Sequence, residues 1–207
     1  MQKKAPPSKR NSALSKQRLL DAAIDVFSKH GYKATTTRMV AQKAGLNAAL
    51  IARYFGNKQN LFDALALHHR EAMISDPLPQ PPLADPCAEL LRYSSVRLAQ
   101  VRSSSKTLRV IVGYAYTDTS GKLALKRDPT QFHDPYLAER LRQMQQLGSL
   151  APDVDLKALA RVLVTYMGGQ IMVNHLIFDR SFAVLMAETK SFLQLLRPSL
   201  TPAPKKG

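Results

Sequence analysis

The sequence predicts an all-α protein of about nine helices, with a small helix-turn-helix DNA-binding domain followed by a larger helical domain. Apolar residues recur at helical spacing through most of the chain. Glycine, proline, aspartate and serine residues stand where such helices would begin and end. The positive charge is concentrated in the first third of the chain, where the helices are shortest.

The charge of the chain is large and unevenly distributed. Its 207 residues include 30 Lys and Arg against 15 Asp and Glu, a formal net charge of +15. Residues 1–70 alone hold 13 of these basic residues and 3 of the acids. An excess of this kind favours an anionic partner, of which nucleic acid and acidic membrane surfaces are the most common.

The composition also excludes several classes of protein. Cys87 has no partner cysteine in the chain, which rules out an internal disulfide framework, and the N-terminus does not resemble a secretory signal. The longest uncharged stretch, residues 162–178, is shorter than the roughly 20 apolar residues of a membrane span. We therefore expect a cytoplasmic protein that has no membrane partner, no metal site and no cofactor.

Three regions follow from the pattern of prolines and charges. Residues 1–14 are expected to form a disordered basic arm, which is either a DNA-contacting segment or an inert tail. Residues 15–74 are expected to form the DNA-binding domain. A proline-rich break at 76–82 precedes the second domain, residues 85–198.

Four helices are expected in the first domain. Ser15, Thr36, Asn47 and Asn57 are suitable N-caps, and glycines at positions 31, 45 and 56 are suitable ends. The expected helices span residues 16–30, 37–44, 48–55 and 58–74. Two short helices joined by a tight turn are typical of a helix-turn-helix, whose second helix enters a major groove about 12 Å wide.

Two runs of residues carry a family resemblance. They are LDAAIDVFSKHGY at residues 20–32 and TTRMVAQKAGLNAALIARYFGNK at residues 36–58. Together they resemble the DNA-binding region of the TetR family over about a quarter of the chain. The resemblance implies a homodimeric, all-helical regulator that binds palindromic operator DNA. It also implies that a small molecule in the C-terminal domain releases the DNA.

The resemblance further implies which residues meet DNA. Thr36 would hydrogen-bond a phosphate, Tyr54 and Lys58 would hold the DNA backbone, and Arg38 would face the DNA. A hydroxyl at a helix N-terminus suits a phosphate, and a lysine in a first turn opposes the helix dipole unless an anion lies nearby. Thr36 as a simple cap and Tyr54 as half-buried core remain alternatives.

The third helix departs from the common family pattern, because alanines replace larger polar, glycine or tyrosine residues. Alanines contact thymine methyl groups but cannot make bidentate hydrogen bonds. We therefore expect Arg53, Asn47 and Arg38 to provide the directional readout. The complete predicted DNA-binding set is Thr36, Arg38, Asn47, Ala48, Ala49, Ala52, Arg53, Tyr54 and Lys58.

The second domain is predicted to contain five helices. Asp85 and Pro86 open one to about residue 103, and another spans 107–116, where the β-branched run 110–112 also permits a buried strand. A third begins at Asp134 and continues to residue 148. Asp153 or Asp155 caps the fourth. The last begins after Ser181 and is expected to end before Pro198.

The last two helices also predict a subunit interface. Residues 163–178 carry no charge on any face, and a helix that is apolar all round is buried on more than one side. Gly168 and Gly169 each cost roughly 1 kcal/mol relative to alanine within a helix. Close helix packing, a kink or room for a ligand would each explain them. The resembled family builds its two-fold interface similarly, and we expect a homodimer.

Polar-tipped residues within these apolar helices are candidate contacts for the effector, an unidentified small molecule. A largely apolar cavity with a few polar groups is typical of such sites. Hydrogen bonding within the core or interface is the alternative for each residue. We expected Arg97 and Arg102 to be solvated at the surface. The predicted ligand-binding set is Tyr93, Tyr114, Tyr166, Gln170 and Asn174.

The function expected from these patterns is that of a one-component transcriptional regulator, specifically a repressor. One alternative is a nonspecific basic nucleoid protein, and another is a helical enzyme with a basic head. No nucleophile elbow, phosphate-binding glycine loop or His-Glu-x-x-His motif occurs in the sequence, so no catalytic residue is assigned.

Overall fold

The structure, a computed structural model, describes residues 9–73, 80–118 and 134–202. Every regular element within these ranges is helical, which confirms the predicted all-α class for this part of the chain. Besides a π-helix (Gln170–Ile177), the nine α-helices are α1 (Lys9–Ala34), α2 (Thr37–Ala44), α3 (Ala49–Phe55), α4 (Lys58–Met73), α5 (Pro86–Ser103), α6 (Ser105–Thr117), α7 (Pro135–Gln146), α8 (Leu156–Gly169) and α9 (Phe182–Leu200).

The helices fall into two compact units that are not continuous in sequence. The first unit combines residues Met1–Arg70 with Lys106–Asp128, and the second combines Glu71–Ser105 with Pro129–Gly207. Most of α6 therefore packs with the N-terminal helices. We had expected α6 to belong entirely to the second domain.

The start of α1 differs from the expectation. The helix begins at Lys9, so residues 9–14 are helical and do not belong to a disordered arm. Ser15 does not cap it, because its hydroxyl donates to the carbonyl of Asn11 at 2.8 Å, one turn back inside the helix. Residues 1–8 of the expected arm lie outside the described ranges. The predicted end is correct: the backbone leaves the helical conformation at Gly31, where φ is +72°.

The caps of the next three helices agree closely with the sequence. Thr36 accepts a hydrogen bond from the Met39 amide at 3.2 Å, and Gly45 ends α2 in the left-handed conformation. The Asn47 side chain accepts from the Ala49 amide at 2.8 Å, so α3 starts one residue later than expected. Asn57 similarly accepts from the Asn60 amide at 2.8 Å.

The first unit has a continuous core drawn from all of its helices. Phe27, Val40 and Phe62 are buried in this core, and Ile111 of α6 joins the same cluster. Aromatic rings occupy its centre, where the Phe27 and Phe62 rings meet edge to face at 5.4 Å. This packing fixes the short helices α2 and α3, which are too brief to be stable alone.

In the second unit, aspartate caps set the helix starts. Asp85, Asp134 and Asp155 each accept hydrogen bonds from two amides of the following first turn, before α5, α7 and α8 respectively. Of the two candidates for the α8 cap, Asp155 is therefore the correct one. The helical alternative for residues 107–116 is also correct, because they form part of α6.

The end of the chain shows two departures from the sequence prediction. The α9 helix continues through Pro198 to Leu200, whereas we expected it to end before the proline. Leu200 is buried, and its carbonyl accepts from the Ala151 amide at 2.9 Å, so tertiary packing retains the last turn. In addition, the segment after Gly169 winds as a π-helix, a rare form in which bonds run between residues i and i+5.

The second unit also buries charged side chains. Glu89 is fully buried, and its carboxylate contacts Arg140 Nε at 2.6 Å and Arg92 at 2.7 Å. Arg97, which we expected to be solvated, is 5% exposed and pairs with Asp134 at 2.9 Å. The periodic pattern did not reveal this pairing because its two residues are far apart in sequence.

No helix in the described ranges is both long enough and apolar enough to span a membrane.

Candidate nucleic-acid interface

The helix-turn-helix is held by backbone bonds in its turn and by one arginine. The Leu46 amide donates to the Ala41 carbonyl at 2.9 Å, which closes the turn after α2. Arg18 of α1 donates to the Ala44 carbonyl at 2.7 Å and so binds a carbonyl left free at the end of α2. A positive side chain there also complements the helix dipole. These contacts fix the direction in which α3 leaves the turn.

The α3 helix is anchored by one face and exposes the other. Ile51 is buried at 1% exposure, while Leu50 and Phe55 are half-buried against the same core. The predicted base-facing residues are exposed: they are Asn47, Ala48, Ala49, Ala52 and Arg53. An exposed helix face with small side chains and one arginine is suited to close approach in a major groove.

Asn47 and Thr36 are both engaged in caps, yet each retains a group for DNA. The Asn47 side-chain oxygen is used at the start of α3, which leaves its amide nitrogen as a donor. The Thr36 oxygen accepts from Met39, and its hydroxyl hydrogen remains available to donate to a phosphate oxygen. The cap and the phosphate contact are therefore compatible for Thr36. Arg38, in the first turn of α2, is exposed.

Lys58 occupies a different environment from that expected of a free phosphate contact. Its ammonium donates to the carbonyls of Thr35 at 2.8 Å and Tyr32 at 2.9 Å, with a longer contact of 3.4 Å to Lys33. It also lies 4.4 Å from the centre of the Tyr32 ring. Partial burial lowers the pKa of Lys58 from its ordinary value. Within this structure Lys58 connects α4 to the end of α1 and to Thr35, which lies between α1 and α2.

Tyr54 lies between two cations, one of which the sequence analysis missed. The guanidinium of Arg53 is 5.9 Å from the centre of the Tyr54 ring, and the ammonium of Lys16 is 5.6 Å from it. The sequence did not point to Lys16 as a DNA contact, because the first helix was expected to begin at that residue. In the structure α1 begins earlier, at Lys9. Two positive groups beside a half-buried tyrosine form a surface attractive to a DNA backbone.

Asp25 of α1 forms ion pairs with two lysines of the first unit. Its carboxylate pairs with Lys43 in the last turn of α2 at 3.5 Å and, more closely, with Lys106 at the start of α6. The hydrogen bond from Lys106 is the main reason that the pKa of Asp25 lies below its ordinary value. This carboxylate of α1 thus links three helices of the first unit, α1, α2 and α6.

The predicted ligand residues do not form one cluster. Tyr114 lies in the first unit, where its hydroxyl donates to the Gln59 side-chain oxygen at 2.9 Å. Tyr93 lies in the second unit, is 3% exposed and donates to Asp134. Burial raises the pKa of the Tyr93 hydroxyl. These two tyrosines therefore have separate surroundings.

The other three predicted ligand residues are connected to one another. Gln170 donates to the Tyr166 hydroxyl at 2.6 Å, and Asn174 donates to the Gln170 side-chain oxygen. Asn174 also donates to Glu188 at 3.0 Å, and Tyr166 stacks on Phe192 with ring centres 4.0 Å apart. Each residue has a partner within the unit, as the alternative interpretation expected.

In the described ranges, no group of three His, Cys, Asp or Glu side chains is arranged to hold a metal ion. Cys87, the single cysteine, is buried, and its thiol donates to the Leu193 carbonyl at 3.3 Å.

Fold and surface together define a helix-turn-helix DNA-binding protein.

Comparison with known proteins agrees with this class. Residues 19–65 match the model of the bacterial regulatory proteins of the tetR family. The chain is 49% identical over 53 residues to the HTH-type transcriptional regulator YvkB of Bacillus subtilis, a match covering 26% of this chain and 28% of that protein. It is 28% identical over 161 residues to the HTH-type transcriptional repressor AcnR of Corynebacterium diphtheriae, which covers 77% of this chain and 80% of that one.

Solved structures extend the likeness beyond the first unit. The transcriptional regulator FadR from Bacillus subtilis, solved in complex with stearoyl-CoA, aligns with a TM-score of 0.67 at 19% identity, covering 88% of this chain and 98% of that one. At this identity the likeness concerns the fold. The sequence matches show that residues 19–65 are a DNA-binding region of the tetR-family type and support a TetR-family transcriptional regulator.

Proposed function

We propose that this regulator is a repressor that binds palindromic operator DNA as a homodimer and is released by a small-molecule effector. The observation that carries the proposal is the exposed face of α3, which is anchored by Ile51 and presents Arg53 beside alanines. DNA binding is assigned to residues 15–74, and effector binding and dimerisation to residues 85–198.

The face of α3 supports a particular kind of readout. Arg53 is placed to pair with a guanine, the most common specific contact of arginine in the major groove. Ala48, Ala49 and Ala52 would lie against thymine methyl groups or allow close approach of the helix. Thr36, Tyr54 and Lys16 would contact the phosphates on either side and fix the register of α3.

The homodimer is supported by an apolar surface on the last part of the chain. Phe178 is 63% exposed and Leu195 is 80% exposed, and the same part of the chain also exposes Ile177, Met172 and Val173. A Cβ atom at Gly168 or Gly169 would meet nothing within 4 Å, so the described chain leaves open the space beside both glycines. Packing against a second copy would bury these residues and would align two α3 helices with a palindrome.

An effector site in the second unit is supported by the family and by FadR, whose structure contains stearoyl-CoA. We assign Tyr93, Tyr166, Gln170 and Asn174 to this site in our chain. A ligand with one or two polar groups would replace the bonds that Tyr166, Gln170 and Asn174 now make with one another, and the bond from Tyr93 to Asp134. The mechanism is a population shift, in which the effector favours a conformation with the α3 helices out of register with the DNA grooves.

Selection of bound fragments from genomic DNA, followed by affinity measurement at fixed salt, tests the proposal. A specific repressor is expected to bind the selected palindrome at least about 10³-fold more tightly than random DNA. Arg53→Ala is expected to reduce that ratio, while Arg142→Ala, an exposed arginine of α7, serves as the matched control. Equal affinity for selected and random DNA would favour the alternative of a nonspecific basic nucleoid protein.

A further inference from the structure

The first unit contains a groove that the proposed function does not use. It lies among the end of α1, α4 and α6 and has a volume of about 580 Å³. This is within the range of about 300–1,000 Å³ that small-molecule sites occupy. All of its lining residues belong to the first unit, and none belongs to the effector site proposed above.

Aromatic side chains form the floor of the groove. Tyr32 stacks on Phe27 and on Tyr114, with ring centres 5.6 Å and 3.8 Å apart respectively, and Phe62 meets both tyrosines edge to face. The faces of Tyr32 are thus engaged, so a ligand would meet mainly ring edges. Ring edges carry partial positive charge, which favours the electron-rich face or the anionic group of a ligand.

Basic side chains form the rim. Lys33 and Arg109 line the groove from α1 and α6, and both are exposed. His30 lines it as well, whereas no Asp or Glu is among the lining residues. The lining residues themselves therefore carry only positive charge, whereas the carboxylates of Asp63 and Asp118 act on the floor tyrosines Tyr32 and Tyr114 from outside the lining.

Gly113 keeps the groove open on the side of α6. It lies within the helix, where a larger residue would be favoured, and a Cβ there would meet nothing within 4 Å. From the volume, the aromatic floor and the basic rim, we infer that this groove binds a flat aromatic anion, with a carboxylate held between Lys33 and Arg109 and the ring against Tyr32 and Tyr114.

Calorimetric titration of the full chain with 2-naphthoate, without DNA, tests this inference. We expect saturable binding that is at least ten-fold weaker for 2-naphthylmethanol, which has the same ring system and no charge. Gly113→Leu is expected to weaken 2-naphthoate at least ten-fold by filling the groove. Tyr116→Leu, at an exposed position of α6 that does not line it, should change the affinity less than two-fold.

A second pair of variants tests the rim without altering the shape of the groove. Lys33→Gln combined with Arg109→Gln should weaken 2-naphthoate ten-fold or more and leave 2-naphthylmethanol unchanged, whereas Lys29→Gln should have no effect. Absence of binding, equal binding of the two compounds, or wild-type affinity in Gly113→Leu protein with normal helical content would each overturn the inference. Because no DNA is present, its failure is distinguishable from failure of operator binding.

Discussion

The ring of Tyr114 stacks on that of Tyr32 with centres 3.8 Å apart, and both hydroxyls donate to the same side-chain oxygen of Gln59. Tyr32 follows the break in α1, Gln59 is in the first turn of α4, and Tyr114 is in α6. Three segments distant in sequence are thus joined at one point of the first unit. The same tyrosine, Tyr32, also lies under the ammonium of Lys58.

The contribution of this junction to stability is measurable. Replacing Tyr114 by alanine should lower the free energy of unfolding of the first unit by about 1–3 kcal/mol, because a ring stack and a hydrogen bond are both lost. Urea unfolding monitored by helical circular dichroism measures the change. Tyr116→Ala is the matched control, since Tyr116 is 89% exposed on the same helix, and it should cost less than about 0.5 kcal/mol. Equal effects of the two substitutions would contradict the role of the junction.

Lys58 is expected to contribute to both folding and DNA binding. Lys58→Ala should cost about 1.5–3 kcal/mol of stability, because charge-assisted hydrogen bonds to backbone carbonyls are lost. If the ammonium also meets a phosphate in the complex, the slope of log affinity against log salt should fall by about 0.9. Binding to a fixed operator at several salt concentrations measures that slope. A stability loss with an unchanged slope would mean that Lys58 supports the fold without contacting DNA.

The oligomeric state should respond to charge placed on the apolar surface of the last helices. Light scattering of the unaltered protein should give twice the 23.0 kDa chain mass. Leu195→Glu is expected to yield monomers, because a buried unpaired carboxylate in an interface is strongly unfavourable. Leu147→Glu is the matched control, since Leu147 is 66% exposed just after α7. A monomeric unaltered protein at micromolar concentration would contradict both the interface and the palindromic operator.

Asp85 provides a prediction about acid stability. Its carboxylate caps α5 and pairs with Arg197 at 2.7 Å, and the hydrogen bond from Arg197 is the main cause of a pKa below the ordinary 3.8. A lowered folded pKa gives stability that is present above the unfolded pKa and is lost as pH falls through the folded one. Asp85→Asn should therefore cost about 0.5–1 kcal/mol at pH 7, because asparagine retains the cap but not the ion pair.

The cost of Asp85→Asn should begin to decrease as the pH falls to the ordinary pKa of 3.8 and should disappear only below the lowered pKa of the folded protein, where the unaltered carboxyl also becomes neutral. Urea unfolding at a series of pH values measures the difference between the two proteins. Asp153→Asn, an exposed aspartate in the loop before α8, is the control. A difference that stayed constant down to the lowest pH would exclude the ion pair as its source.

Effector control should be separable from DNA binding. Asn174→Leu is expected to reduce the response to an effector identified by screening, while operator affinity without the effector stays unchanged. By linkage, operator DNA should weaken binding of the same effector by the factor, typically about 5–150-fold, with which the effector weakens operator binding. Equal effector affinity with and without operator would show that the second unit does not control release.

Local sequence signals predicted most of the helix boundaries and failed where distant packing decides. The caps at Thr36, Asp85 and Asp134 satisfy amides in the turn that follows each of them, so neighbouring residues suffice to locate them. The last turn of α9 depends on the hydrogen bond between Leu200 and Ala151. A prediction that ends a helix at a proline, here Pro198, does not include such a distant bond. Ser15 resembles an N-cap in the sequence, because the identity of a serine does not show whether its hydroxyl bonds the turn that follows it or the turn that precedes it.

The candidate site shows the same division. The exposed face of α3 follows from helical periodicity, because burial of Ile51 dictates which neighbours face outward. The carbonyl contacts of Lys58 and the pairing of Arg97 with Asp134 depend on segments more than 20 residues away. The position of Tyr114 in the first unit likewise depends on the path of α6. These contacts are set by tertiary packing, which the helical periodicity of the sequence does not describe.

The π-helix has a consequence for insertions and deletions in this part of the chain. Its wider turns accommodate an additional residue, so loss of one residue between Gln170 and Ile177 would allow the segment to wind as an ordinary α-helix. Each residue after the deletion would then keep close to its present direction relative to α8, whereas the same deletion in an ordinary α-helix would rotate it by about 100°. Ile177 and Phe178 would therefore stay near their present exposed direction. A one-residue deletion within α8 would instead turn both side chains away from it, so the π-helix is the part of this segment in which a change of chain length disturbs least the surface that one copy offers to another.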